Sequence, residues 1–214
     1  MSDDQGAPGK PAEVLSKSAY HHGDLRAQLL AAVRDLVETH GPDGFSVSEA
    51  ARRAGVSTAA PYKHFKDRHE ILRGVVAEAM DRLRRYMEAA ASRFPEGSLE
   101  AVAAIGEAYV AFARDQPGVF RLAFGLTEGH EDDPDLMDKG RECFAVVVRS
   151  VAANMGRPEG EPEVSRRAYR LWAFVHGHSF LTIDRKNRIT HAADENWDHL
   201  MAISRGVLER PTRG

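Results

Sequence analysis

One cysteine, Cys143, is all that this chain of 214 residues carries. No intrachain disulfide can staple it, and a lone thiol in the apolar stretch Cys143–Val148 suits a reducing cytoplasm. Missing too is any run near the roughly 18 apolar residues that a transmembrane helix needs. The start, MSDDQGAPGKPAEV, is acidic and polar and holds no apolar signal segment. The expectation is a cytoplasmic protein with no membrane partner. No segment of useful length alternates apolar and polar residues, so strands are not expected, and no internal repeat occurs. Strong charge of either sign is also lacking. A net charge of -3 and a pI near 6.4 argue against a protein that coats nucleic acid nonspecifically. They leave room for a small reading surface, because phosphate contacts depend on local charge. Catalysis lacks its usual anchors: there is no Gly-rich phosphate loop, no nucleophile elbow and no paired-carboxylate motif. His176 and His178 lie two apart on a helix and diverge. Glu128, His130, Asp132 and Cys143 add ligand types without a recognised spacing. No catalytic residue, metal or cofactor is expected.

What the chain does have is helical periodicity. A hydrophobic content of 43% with 29% charged residues is that of a soluble globular protein. Residues 1–18 are Gly/Pro-rich and polar and read as a flexible arm. From Asp24, the positions Leu25, Leu29, Leu30, Val33, Leu36 and Val37 repeat with the helical period, and Gly41 ends the segment. A long helix is expected over about Arg68–Arg93, stopped by Pro95-Glu96-Gly97. Further helices are expected over Leu99–Arg114, Val119–Gly125, Leu136–Met155, Glu163–Asp184 and Ala193–Glu209, with an acidic loop over His130–Asp138. The fold class is all-α, with about nine or ten helices. The expected domains are 19–73 and 74–210, joined through the long helix.

Within the first of these, Phe45–Leu72 packs two very short helices and the start of the long one into a compact unit. Ser46 or Ser48 can cap the first, which runs to about Arg53. Gly55 supplies the turn, Val56 pins its far side, and Ser57 caps a second helix ending near His64. Two short helices joined by a Gly turn form a helix-turn-helix, whose second member enters a DNA major groove. An ordinary helical hairpin has the same spacing. The run Tyr62-Lys63-His64-Phe65-Lys66-Asp67-Arg68 followed by Ile71-Leu72 decides between them. With Gly55-Val56-Ser57 at its turn, it resembles the amino-terminal domain of the TetR family of bacterial transcriptional regulators. Tyr20-His21-His22-Gly23-Asp24-Leu25-Arg26 resembles the opening of a subset of that family.

That resemblance implies a dimeric DNA-binding regulator on a palindromic operator. Ser57, Thr58, Ala59 and Ala60 would meet base edges, where small hydroxyls and methyls approach closely. Lys63 is long enough for a base or a phosphate. Tyr62 and His64 resemble the family's phosphate-binding pair. Lys66 with the amides at the start of the long helix, and the helix terminus near Ser46, offer further phosphate sites. Phe65 reads as core, and His21, His22 and Arg26 as possible arm contacts. Arg52, Arg53, Arg68 and Arg73 cluster nearby. No Arg, Asn or Gln lies between Ser57 and Lys63, so methyl contacts, one Lys and DNA shape would carry much of the specificity.

Trp172-Ala173-Phe174-Val175-His176-Gly177 resembles the Trp-x-x-x-His-Gly signature of one carboxy-terminal class among TetR-like regulators. Gly177 would allow close helix approach, Trp172 would fill a groove, and His176 would bond across a helix pair. Such a domain receives a small molecule. Tyr109, Phe112, Phe120, Phe124, Met137, Phe144, Trp172 and His176 are the candidate lining, apolar and aromatic, suited to a hydrophobic or amphipathic effector. The runs Leu171–Val175 and Leu200–Leu208 place the homodimer interface on the last two helices, with Leu200 and Val207 as its buried points. Repression relieved by the effector is the expected action. Activation, co-repression, or a helical interaction module with lost operator specificity stay open.

Overall fold

The computed structural model describes residues 25–125, 133–186 and 196–209. The expected arm, the contacts assigned to His21 and His22, and Glu128, His130 and Asp132 lie outside them. Among the described residues the chain is all-helical. The helices are α1 (Leu25–Gly44), α2 (Val47–Arg53), α3 (Arg68–Ala91), α4 (Leu99–Asp115), α5 (Pro117–Phe124), α6 (Pro134–Met155), α7 (Pro162–Ile183) and α8 (Asn196–Leu208). No helix is long and apolar enough to cross a membrane.

Local chemistry explains most boundaries. Helical geometry in α1 breaks at Gly41, whose φ of 75° only glycine adopts freely, and a short turn from Pro42 follows. Asp67 caps α3 by accepting from the Glu70 amide at 2.8 Å, while the Glu70 carboxylate accepts from the Lys66 amide. Ser98 caps α4 through the Ala101 amide at 3.1 Å, and Asp133 caps α6. Gly156, left-handed at φ 61°, closes α6.

The predicted second helix of the reading unit is not an α-helix. Residues 58–60 form turns, and Pro61–Lys63 is a single 3-10 turn. Pro61 has no N–H to return to the Ser57 carbonyl, so the bonds tighten to three-residue spacing: Ala60 N–H to Ser57 at 3.0 Å and Lys63 N–H to Ala60 at 3.1 Å.

α1, α2 and the first half of α3 enclose a core of Leu29, Leu30, Val33, Leu36, Phe45, Ala50, Phe65, Ile71 and Val75. α3, 24 residues and so about 36 Å long, continues into a bundle with α4, α6, α7 and α8. It belongs to both parts. Arg68 is not on the reading face: its guanidinium donates to the Pro42 carbonyl and lies 4.6 Å from the Phe45 ring centre, fastening α3 to the α1–α2 corner.

Candidate DNA-reading surface and effector cavity

The turn after α2 carries the hydrogen-bond pattern that Gly55 suggests. Gly55, at φ 70°, donates to the Arg52 carbonyl, and Val56 to that of Ala51. This paired closure ends α2 in one residue and throws the next segment sharply outward. Along that segment Ser57, Thr58, Ala59, Tyr62, Lys63, His64 and Lys66 are exposed. Phe65 is buried beneath them, under the guanidinium of Arg26. Tyr62 is 59% exposed, with its hydroxyl free to meet a ligand from solvent.

Three expected readers sit differently. Ala60 is buried at 9% exposure, because the 3-10 turn carries it inward with Pro61. Ser46 precedes α2 with an exposed side chain and makes no cap bond. At the start of α3 the amides of Lys66 and Glu70 are already engaged by Glu70 and Asp67, while the Lys66 side chain stays exposed. Arg52 and Arg53 lean on Glu49, and Arg73 pairs with Asp133 at 3.4 Å. Lys63 and Lys66 have no carboxylate partner among the described residues, and they are the cations this edge presents.

At the other end of α3 lies a cavity of about 340 Å³, at the lower end of sizes that hold small organic ligands. Of the expected lining, Tyr109, Phe124, Phe144 and Trp172 do face it. Phe112 and Phe120 do not: both are fully buried, Phe112 edge-on to Tyr86, and Phe120 packed on Tyr109, Phe124 and Phe180. Met137 is turned outward at 45% exposure. His176 stands one layer back, sharing a 2.8 Å hydrogen bond with the Tyr109 hydroxyl between α4 and α7. Sequence reasoning missed Met80 and Met87 of α3, Gly140, Arg141, Cys143 and Val147 of α6, and Tyr169 of α7. The α6 set was findable, since 140, 143/144 and 147 recur at helical spacing.

The cavity is nearly all apolar. Burial raises the pKa of the Tyr109 hydroxyl, and it lowers that of the half-buried His176, which stays neutral near pH 7. Cys143 donates to the Met80 carbonyl at 3.3 Å, and burial pushes its thiol up to about 11, so it is an inert wall group. Arg141, paired with Asp138, is the charged side chain at the rim. A second space, around Gly106 between α4, α7 and α8, measures about 30 Å³ and holds no more than one water. His178 points away from His176 and donates through Nε2 to Asn196 at 3.1 Å. No group of three or more His, Cys, Asp or Glu side chains fit to hold a metal occurs among the described residues.

On the outer side of the last two helices, Ala173 and Ala202 are exposed, and a Cβ added at Gly177 or Gly206 would meet nothing. The expected close approach at Gly177 is therefore not made within the subunit. Leu200, assigned to the dimer interface, is instead core at 2% exposure, packed on Gly106, and Leu171 and Val175 also face inward. Buried Arg167 ties the pair together, donating to Glu163 at 2.9 Å and to the Leu208 carbonyl at the end of α8.

Comparison with known proteins follows the same division. Residues 29–75 match the family model for bacterial regulatory proteins of the tetR family, and residues 102–203 that for the tetracyclin repressor-like C-terminal domain. A nucleoid occlusion factor, SlmA, from Vibrio vulnificus is 26% identical over 190 residues, spanning 83% of this chain and 94% of that protein. Among solved structures, a protein of unknown function from Rhodococcus sp. RHA1 is 30% identical with a TM-score of 0.75, covering 90% of this chain and 98% of the other. A tetR-family transcriptional regulator from Streptomyces coelicolor, 13% identical, has a TM-score of 0.66 over 86% of this chain and 78% of its own.

Proposed function

The chain belongs to the TetR family of bacterial regulatory proteins and is not an enzyme, and from that premise we propose that it is a homodimeric repressor released from a palindromic operator by a small hydrophobic or amphipathic molecule. One observation carries the reading. A single helix, α3, is packed into the reading head at Ile71 and Val75 and supplies Met80 and Met87 to the wall of the apolar cavity. Occupation of the cavity therefore bears directly on the element that aims the exposed edge from Ser57 to Lys66. Ser57, Thr58 and Ala59 meet base edges. Tyr62, His64 and Lys66 hold phosphates and set the register, with Ser46 beside them, and Lys63 reaches either. Tyr109, Phe124, Phe144 and Trp172 receive the effector, with His176 fixing the Tyr109 hydroxyl. The head spans about 19–73 and the effector and dimer domain about 74–210, the latter of the Trp-x-x-x-His-Gly class.

Dimerisation supplies the second half-site, because one head buries too little surface for tight binding. Its interface is the open small-residue face of α7 and α8. The test is fluorescence anisotropy on duplexes selected from a random pool by the intact protein, then repeated against a panel of small apolar molecules. Nanomolar binding to a palindrome, weakened by a compound that also quenches Trp172, is expected. Equal affinity for selected and random duplex at physiological salt would sink the operator reading and favour an interaction module. A compound that strengthens binding would make the effector a co-repressor.

A further inference from the structure

The corner between α4 and α5 is held from outside its own helices. Gln116 occupies the N-cap position of α5 but makes no cap bond. Its side chain instead accepts from Arg82 of α3 at 2.8 Å. The amides at the start of α5 would be left as orphan donors. Glu38 of α1 takes them: Oε2 accepts from Gly118 N–H at 2.9 Å and Oε1 from Val119 N–H at 2.8 Å. A carboxylate at a helix N-terminus is favoured by the helix dipole as well. The two chains are close enough to touch. A Cβ on Gly118 would fall 2.7 Å from the Val37 carbonyl oxygen and 2.9 Å from the Glu38 Cα. At the far end of the same eight-residue helix, Phe124 forms part of the cavity wall, and Phe120 locks it to Tyr109 and Phe180.

We propose that Glu38 is a positioning residue that couples the cavity to the reading head, through α5 and α1 and in parallel with α3. The inference rests on the effector reading above. α5 is about 12 Å long and two turns deep, so it moves as a body. A molecule that displaces Phe124 shifts the Gly118–Val119 end, and the two-point carboxylate contact carries that shift into α1. α1 in turn supplies Leu29, Leu30 and Val33 to the core beneath the head. A single rod fixes a body's distance but leaves its rotation free. α3 together with the Glu38 contact sets both, so removing the carboxylate leaves the route through α3 in place and weakens the coupling of α1 to the cavity while leaving each part folded.

Hydrogen exchange on the full chain tests this, with 1-anilinonaphthalene-8-sulfonate, an apolar fluorescent anion, as the cavity probe. In the wild type the probe should protect peptides from 136–147, on the cavity wall, and change exchange across 25–44 by about fivefold or more, the low end of ordinary coupling between sites. Glu38→Ala should keep the first effect and clearly diminish the second, leaving only what α3 transmits. Glu38→Gln, which keeps the shape and one oxygen acceptor, should fall between them and covers the case in which the alanine variant does not fold. An undiminished α1 response in both variants overturns the proposal, and so does a wild type whose cavity is protected with no response in α1. A wild-type cavity left unprotected by the probe removes the effector reading instead, and the coupling inference with it.

Discussion

At the reading edge the side chains divide by what they can touch. Tyr62 and His64 are exposed at the end of the 3-10 turn, and the function proposed above has their hydroxyl and imidazole meet backbone oxygens and not base edges. Tyr62→Phe should therefore weaken binding to every duplex alike, by about fivefold for one net hydrogen bond, and His64→Ala likewise. Thr58→Ala should alter preference among operators. Anisotropy on the selected operator and on random duplex separates the two, and a Tyr62→Phe variant that changed only discrimination would reverse the assignment. In the bundle, burial lowers the pKa of both His176 and His178 below the ordinary 6.5. The unfolded chain thus binds more protons in the window below 6.5. Stability from these groups is fully present above that value and is lost as pH falls through it. The melting temperature should drop between pH 7.5 and 5.5, a range above the ordinary carboxylate values. A midpoint that held or rose would contradict the burial argument.

Among the elements, the reading segment shows how one residue reshapes a helix. Pro61 withholds a donor, turns Ala60 into the core, and leaves Ser57, Thr58 and Ala59 as the exposed part of the set. The turn after α3 depends on a backbone that only glycine adopts without strain. Gly97 has φ 75°, an added Cβ would sit 2.9 Å from the Ala153 carbonyl, and its own carbonyl accepts from the Asn154 side chain at 2.8 Å. Gly97→Ala should cost about 1–3 kcal/mol, read as a lower urea midpoint at unchanged slope. A change under a few tenths would mean that the turn relaxes freely.

For the whole molecule, the proposed dimer contact is the small-residue face of α7 and α8 that the isolated subunit leaves open. Gly177→Arg meets nothing within the subunit, so the monomer should melt almost as the wild type does. Across a twofold contact the same side chain would clash and strand a charge in apolar surroundings. Sedimentation at about 10 µM should fall from near twice 23.6 kDa to the monomer, and operator affinity should collapse with it. Leu200 is a poor site for this test, since a charge there attacks the subunit's own core. A Gly177→Arg protein that stays dimeric would move the interface elsewhere.

The sequence by itself determined what is local and periodic. Helices follow from a 3.6-residue repeat, as in Leu29, Leu30, Val33, Leu36 and Val37, and their ends from residues that act on their own backbone, such as Gly41, Gly55 and Asp67. The turn before the reading segment and the burial of Phe65 were legible for the same reason, and so was the family. The loss of helix at Pro61 was local as well, since a proline four residues after Ser57 has no N–H to return to it. What only the tertiary structure decided is which face of a helix meets which neighbour. An apolar residue has the same periodicity whether it lines a cavity, like Phe144, or fills a core, like Phe112. Met80 and Met87 reach the cavity wall because α3 crosses α6 there. Gly177 looked like a close contact and is open, because the subunit packs the opposite side of α7. Glu38 meets Gly118 across 80 residues of chain, and no pattern in either segment marks a bond that exists only once both helices are in place.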